Sequence, residues 1–320
     1  MRTEREMYDL ILGVARKDAR IRAVYLNGSR ANPAAPRDIF QDYDIVYVVT
    51  ETEPFIRDKN WLAVFGETVV MQEPDNTELF DNAANREEKY AYLMQFTDGN
   101  RVDLTVQTKE RTARDYTKDK LTVPLLDKDG FLPPLPPPTD SDYRVKKPSA
   151  KLFTDCCNEF WWVTLYVAKG LRRREILYAL DHLNSYVRPM LLLMLEWYVG
   201  VRTDFTVNIG KSCKYLERYL PEETWARLLA TYPVAAEEPV WEALFNMGSL
   251  FRETANLIAG RLGYLYNREE DEKTAEYLSR LRQGQDGAAG GTGSDCTEAG
   301  DGHDRWAGKR LTVIRPENWG

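Results

Sequence analysis

Cysteine and histidine are scarce in this chain. The four cysteines (Cys156, Cys157, Cys213, Cys296) show no Cys-x-x-Cys spacing, and the adjacent pair Cys156-Cys157 makes no disulfide framework, which argues against zinc ribbons and stapled secreted scaffolds. Of two histidines, only His182 lies outside the C-terminal tail. A Ser-His-Asp hydrolase would need His182, and no Gly-x-Ser-x-Gly elbow accompanies it. Long apolar runs are missing too: no stretch of about eighteen such residues occurs, and the N-terminus opens on Arg2, Glu4 and Arg5 instead of a basic segment leading into an apolar one. These absences predict a soluble, cytoplasmic protein of a reducing compartment with no membrane partner. Finally, there is no excess of base. Lys plus Arg number 43 against 50 Asp plus Glu, a net charge of −7, and the compact basic clusters of the second half (Arg144 with Lys146 and Lys147; Arg172 to Arg174) are short. A nucleic-acid partner is not expected, whereas a cationic ligand is compatible.

What is present falls into three regions. Phe131 to Pro138 carries five prolines in eight residues, which forbids helix and central strand and marks an extended connector. Before it, at 1–135, helical and strand periods alternate. Met7, Leu10, Ile11 and Val14 predict an amphipathic helix behind a Thr3 N-cap, followed by a strand at Ile21 to Leu26. Tyr43 to Val49 reads as a strand covered on both faces. Tyr90 to Phe96 and Val102 to Val106 flank the hairpin signal Asp98-Gly99. After the connector, at 136–283, long helices follow: 149 to 169, 172 to 199 with a kink at Pro189, 221 to 231, and 238 to 266. The last region, 284–320, holds nine of the chain's twenty glycines and reads as a flexible tail. The expected fold class is α/β (α+β): a mixed-sheet domain and then an all-helical one.

The stretch richest in chemistry is Asn27-Gly28-Ser29-Arg30, followed by Asp42-Tyr43-Asp44 and later by Asp103. A strand running into Gly-Ser brings backbone amides and a hydroxyl close to a phosphate, with no Cβ in the way at the glycine. Asp42 and Asp44, two apart on a strand, share a face. Their mutual repulsion is relieved by a divalent cation. Asp103 interrupts an apolar strand, a costly place for a carboxylate unless it joins the same site. Either fragment alone is ordinary turn or strand-start chemistry. Together they make one or two Mg²⁺ sites of the kind used for in-line phosphoryl or nucleotidyl displacement.

That conjunction resembles the nucleotidyltransferase superfamily with its DNA polymerase β-like palm. The opening Met-Arg-Thr-Glu, the runs Ala23 to Arg30 and Asp38 to Tyr47, and Asn158-Glu159-Phe160-Trp161-Trp162 resemble the aminoglycoside 6-adenylyltransferases, the streptomycin-modifying branch, across about residues 1 to 283. The resemblance implies Mg²⁺-dependent transfer of AMP from ATP to a streptomycin hydroxyl, hence antibiotic resistance, at an active site between the two domains. Gly28 and Ser29 then hold the ATP phosphates. Arg30 either adds charge there or is a solvated loop cation. Asp42 and Asp44 ligate Mg²⁺, and Asp103 is a third ligand or the base that takes the hydroxyl proton. Other members act on other aminoglycosides or on lincosamides, and further relatives modify macromolecules or bind nucleotide without turnover.

In the helical region Asp155, Glu159, Trp162, Tyr166 and Lys169 form one continuous helix stripe. It is expected to line a cleft in which Lys169 meets ATP phosphates and Glu159 meets a guanidinium or acts as base. The competing reading is a solvated amphipathic face. Trp162 and Asp181 are candidates for the cationic drug, since streptomycin carries two guanidinium groups suited to planar carboxylate recognition. Gly210-Lys211-Ser212 lacks the earlier glycine of a phosphate-binding loop, Phe205 standing in its place. Cys156 and Cys157 are expected to pack as small hydrophobes. No oligomeric state is readable from these residues.

Overall fold

A computed structural model of the chain describes residues 1–79 and 85–285. From residue 286 on, the expected flexible tail lies outside the described residues. Two compact units divide the chain, the first from Met1 to Asp142 and the second from Tyr143 on.

The first unit runs α1 (Glu4–Lys17), β1 (Ile21–Asn27), a short helix α2 (Gly28–Ala31), β2 (Tyr43–Val49), α3 (Glu53–Arg57), β3 (Thr68–Gln72), β4 (Lys89–Phe96), β5 (Arg101–Thr108), α4 (Lys109–Asp115) and β6 (Val123–Asp127). Thr3 caps α1 in a reciprocal capping box with Glu6. The six strands form one mixed sheet in the order β3-β4-β5-β2-β1-β6, antiparallel except for β2 beside β5. The two edge strands carried no readable signal. All five residues of β3 are exposed, so no apolar alternation marks it, and β6 contains Pro124, tolerated because an edge strand has an unpaired side.

The sheet's two faces receive different covers. Tyr43, Ile45 and Tyr47 point to the face under α1, whose Met7, Ile11 and Ala15 are buried; Met7 and Ile11 each contribute about 1.5–3 kcal/mol of burial. The Tyr47 hydroxyl donates to the Ile11 carbonyl at 2.6 Å. On the opposite face, Ala23, Tyr25, Val48 and Tyr116 form a small core against which Val46, Phe131, Leu132 and Leu135 pack. The proline-rich segment is therefore extended but anchored, its apolar residues closing the sheet face at the end away from Asp44.

The second unit holds α5 (Ala150–Arg172), α6 (Ile176–His182), a π-turn at Leu183–Val187, α7 (Arg188–Arg202), α8 (Glu222–Leu229), α9 (Glu237–Leu262) and α10 (Arg268–Arg282). Phe160 of α5 stacks on Phe251 of α9 with ring centroids 3.8 Å apart. The expected break at Pro189 takes another form: the wide π-turn immediately precedes Arg188-Pro189 and absorbs the irregularity, leaving Pro189 near the start of α7. The helix expected to reach Tyr266 stops at Leu262 because Gly263, at φ 71°, makes a left-handed cap. The chain then starts again as α10 behind Asn267, whose side chain accepts from the Glu270 amide. α10 docks through buried Asp271, which takes two bonds from Arg252 (2.5 and 2.6 Å) and one from the Tyr266 hydroxyl (2.8 Å). Cys156 and Cys157 are buried, and burial pushes the Cys157 thiol up to about 12, so both pack as small apolar groups. Among the described residues no helix is long and apolar enough to cross a membrane.

Candidate active site

Strand register assembles the carboxylates of the first unit. Asp44 of β2 lies opposite Asn27 of β1 on one side and Asp103 of β5 on the other, so three neighbouring strands present their polar ends in one row. Residues paired across a ladder share a face, and Asp42, just ahead of β2, lies near that row, its Oδ2 3.7 Å from the Arg101 side chain that also bonds Asp103. All three carboxylates are partly exposed while the alternating Tyr43, Val102 and Leu104 are buried. This is the face away from α1. A strand that reads as apolar thus carries its acids toward solvent, and their desolvation cost is small.

Gly28 sits in the turn beyond β1 at φ 71°, and a Cβ there would lie 2.1 Å from Asp44 Oδ2. Only glycine supplies both that backbone conformation and that approach. Ser29 follows, and its carbonyl and hydroxyl oxygens lie 3.4 and 3.5 Å from the Gln41 amide nitrogen. Gln41 Oε1 is buried and finds no hydrogen-bond partner among the described residues. A polar atom left in that state costs about 1–3 kcal/mol.

Arg30 is not a solvated loop cation. Its side chain, 8% exposed, pairs with Glu4, donates to the backbone carbonyls of Gln41 (2.9 Å) and Asp42 (3.1 Å), and stacks on the Tyr43 ring at 3.7 Å. It braces the segment leading into Asp42. Gln41 reaches back to Ser29, so the turn and the acidic strand hold each other. The opening residues join this brace: Arg2 bonds Asp98 through its backbone and side chain (3.1 and 2.6 Å) and donates to the Phe65 carbonyl, which ties the N-terminus to the β4–β5 hairpin.

Arg101 was missed by sequence reasoning. Its guanidinium makes two bonds to Asp103, at 2.8 and 2.9 Å, and lies 3.7 Å from Asp42 Oδ2. The Asp103 contact, with the charges of Asp42 and Asp44 after it, holds the guanidinium more firmly protonated. The spacing Arg101-x-Asp103 was the available signal, because a strand sets both side chains on one face. Oxygen donors on a common face suit a hard cation such as Mg²⁺. Among the described residues, however, no three acidic, His or Cys side chains are already drawn together as metal ligands; a guanidinium stands among these acids instead.

The second unit presents its own polar surface, and the stripe predicted on α5 lies there. Phe153, Phe160, Trp161 and Val167 take the buried side. Glu159 is half-buried, Trp162 is 56% exposed, and Lys169 is exposed. Asp155 pairs with Lys151 at 2.7 Å and is a solvated helix charge. Burial pushes the Glu159 carboxyl above its usual range. Aromatic rings continue from this stripe onto α6. Trp162 meets Tyr166 edge-on at 6.3 Å, Tyr166 stacks on His182 at 5.5 Å, and Tyr178 and Tyr186 lie 4.1 and 5.4 Å from the same imidazole. His182 donates from Nδ1 to the Tyr178 carbonyl at 2.9 Å, and exposed Asp181 accepts from Ser185. Lys169 lies 5.6 Å from the Tyr166 ring. A face of rings bordered by carboxylates binds planar cations. Lys211 to Cys213, by contrast, form one irregular turn with Ser212 at φ 54°, not the strand-to-helix loop that cradles phosphates.

Known proteins match this chain along nearly all of its described length. The family described as streptomycin adenylyltransferase matches residues 1–281. A Campylobacter jejuni protein named aminoglycoside 6-adenylyltransferase is 44% identical over 283 residues, spanning 88% of this chain and 97% of its own. Proteins of the same name from Bacillus subtilis (strain 168) and Staphylococcus aureus are 43% and 38% identical, each over 88% of this chain and 98% of their own. A crystal structure of an aminoglycoside 6-adenyltransferase from Bacillus subtilis is 39% identical, covers 88% of this chain and 99% of its own, and superposes with a TM-score of 0.44.

Proposed function

This chain belongs to the streptomycin adenylyltransferase family, an adenylyl-transferring enzyme class, and we propose that it moves AMP from ATP onto a hydroxyl of streptomycin with the help of Mg²⁺. The observation that carries the proposal is the row Asn27, Asp44 and Asp103 across β1, β2 and β5, with Asp42 close by and Gly28 against Asp44. Asp42, Asp44 and Asp103 are the residues that would hold Mg²⁺. When bound, the ion neutralises charge on the polyphosphate and on the departing pyrophosphate.

The chain's own residues do the rest. Gly28 opens the space beside Asp44, and the Ser29 hydroxyl and the turn amides donate to phosphate oxygens. Arg30 and Gln41 keep the Gly-Ser turn and the acidic strand at fixed separation, which holds the reacting groups in line. A carboxylate takes the proton of the attacking hydroxyl: Asp103 is one candidate, and Glu159, whose burial raises its affinity for a proton, is the other. Trp162 and its neighbouring rings receive the drug's guanidinium groups, with Glu159 and Asp181 as counter-charges. Lys169 supplies a positive charge for ATP. The acidic balance of the sequence finds its use here, in a dicationic substrate.

The test is a substrate panel: the full-length protein with Mg²⁺, labelled ATP, and streptomycin, kanamycin or a lincosamide. An AMP adduct on streptomycin supports the proposal. An adduct on kanamycin or the lincosamide with none on streptomycin would overturn the substrate, and no adduct with any drug would overturn the activity.

A further inference from the structure

Arg101 has no place in the mechanism above, yet its guanidinium lies among the three carboxylates on which that mechanism depends. It forks onto both oxygens of Asp103 at 2.8 and 2.9 Å and reaches Asp42 Oδ2 at 3.7 Å. The nearby Arg30 is directed at backbone carbonyls and Glu4.

We propose that Arg101 is an internal counter-cation that competes with the divalent metal for Asp42 and Asp103, and so sets how tightly the site takes metal. The inference rests on these carboxylates being the metal ligands. Three neighbouring carboxylates repel one another, and a positive charge placed among them relieves the repulsion whether it comes from a guanidinium or from an ion. The two cannot use the same lone pairs. A planar guanidinium occupies both Asp103 oxygens at once, so Asp103 must give up at least one of those bonds to ligate a metal. Nor can Arg101 drift away when unpaired: two residues before Asp103 on β5, its backbone is fixed opposite Gln95 by the ladder to β4. The pair is partly exposed, with Arg101 at 41% and Asp103 at 20%, so releasing it costs little enough for a divalent ion to do so. This arrangement also accounts for acids that share a face without being drawn together as ligands: the guanidinium spaces them.

The experiment titrates Mn²⁺ into the full-length protein by calorimetry, comparing the natural protein with Arg101→Gln, Arg101→Lys and Asp103→Asn, each with a melting curve. Arg101→Gln removes the competitor and should tighten Mn²⁺ binding about threefold to tenfold. Arg101→Lys keeps the charge but loses the fork and should fall between the two; it also carries the test if the glutamine variant does not fold. Asp103→Asn should weaken binding. A residue that merely supported the fold would lower the melting temperature and loosen metal, the opposite sign. Unchanged or weaker Mn²⁺ binding in both Arg101 variants, with Asp103→Asn still weakening it, overturns the competition and leaves the ligand assignment standing. If the natural protein and all variants bind Mn²⁺ alike or not at all, the ligand assignment falls and the inference with it.

Discussion

Gly28 and Asp44 approach so closely that no other residue fits at position 28. A Cβ there would meet Asp44 Oδ2 at 2.1 Å, and the backbone is at φ 71°. Gly28→Ala therefore has two costs, a left-handed backbone for a residue with a Cβ and a displaced carboxylate. We expect a loss of about 1–3 kcal/mol in stability and near-complete loss of AMP transfer, measured by chemical denaturation and by product formation. Wild-type turnover in that variant would mean that the Asp44 position is not needed.

Asp44→Asn keeps the shape and the ladder pairing of β2 while removing one charge from the row. Turnover should fall more than about a hundredfold, with the melting temperature held or raised because repulsion from Asp42 and Asp103 is relieved. An active Asp44→Asn protein would remove that residue from the site.

Trp162→Ala and Glu159→Gln address the face on α5. Trp162 is already largely exposed, so its loss should hardly affect folding. Both variants should raise KM for streptomycin about tenfold and leave KM for ATP unchanged. An equal rise for both substrates would show that this face does not discriminate the drug.

Glu196 on α7 yields a pH prediction. Burial raises its carboxyl above the usual range, with Lys146 opposing weakly. A raised acid favours the folded state while it is protonated in both states; that stability is lost as pH climbs from the ordinary value of about 4.3 through the higher folded one. Glu196→Gln, which never ionises, should therefore gain melting temperature relative to the natural protein at neutral pH and gain less near pH 4. An equal difference at both pH values would contradict the assignment.

Much of this was legible in the sequence because local rules and tertiary demands agree there. The Thr3 cap ahead of the Met7 to Val14 period, the apolar run from Tyr43 to Val49 and the Asp98-Gly99 turn each specify their element unaided. Asp42 and Asp44 could be put on one face by strand period alone. The alignment of Asp103 with Asp44 could not, since register between distant strands leaves no trace in either strand. The bracing role of Arg30 was not legible for a related reason: its partners are backbone carbonyls, a ring and the distant Glu4, which no spacing rule reveals. The Arg101-x-Asp103 spacing sets both side chains on one face, but only the strand register brings the guanidinium to Asp42 as well. Strand β3 and helix α10 escaped because their residues are mostly exposed or polar, and β6 because Pro124 interrupts it.

The central claim is that the group transferred is AMP and not a phosphate. The direct measurement runs two parallel reactions with streptomycin and Mg²⁺, one with ATP labelled at the α-phosphorus and one with ATP labelled at the γ-phosphorus. The account requires the α label on the drug and the γ label in pyrophosphate. A γ label on the drug, with ADP released, would contradict it.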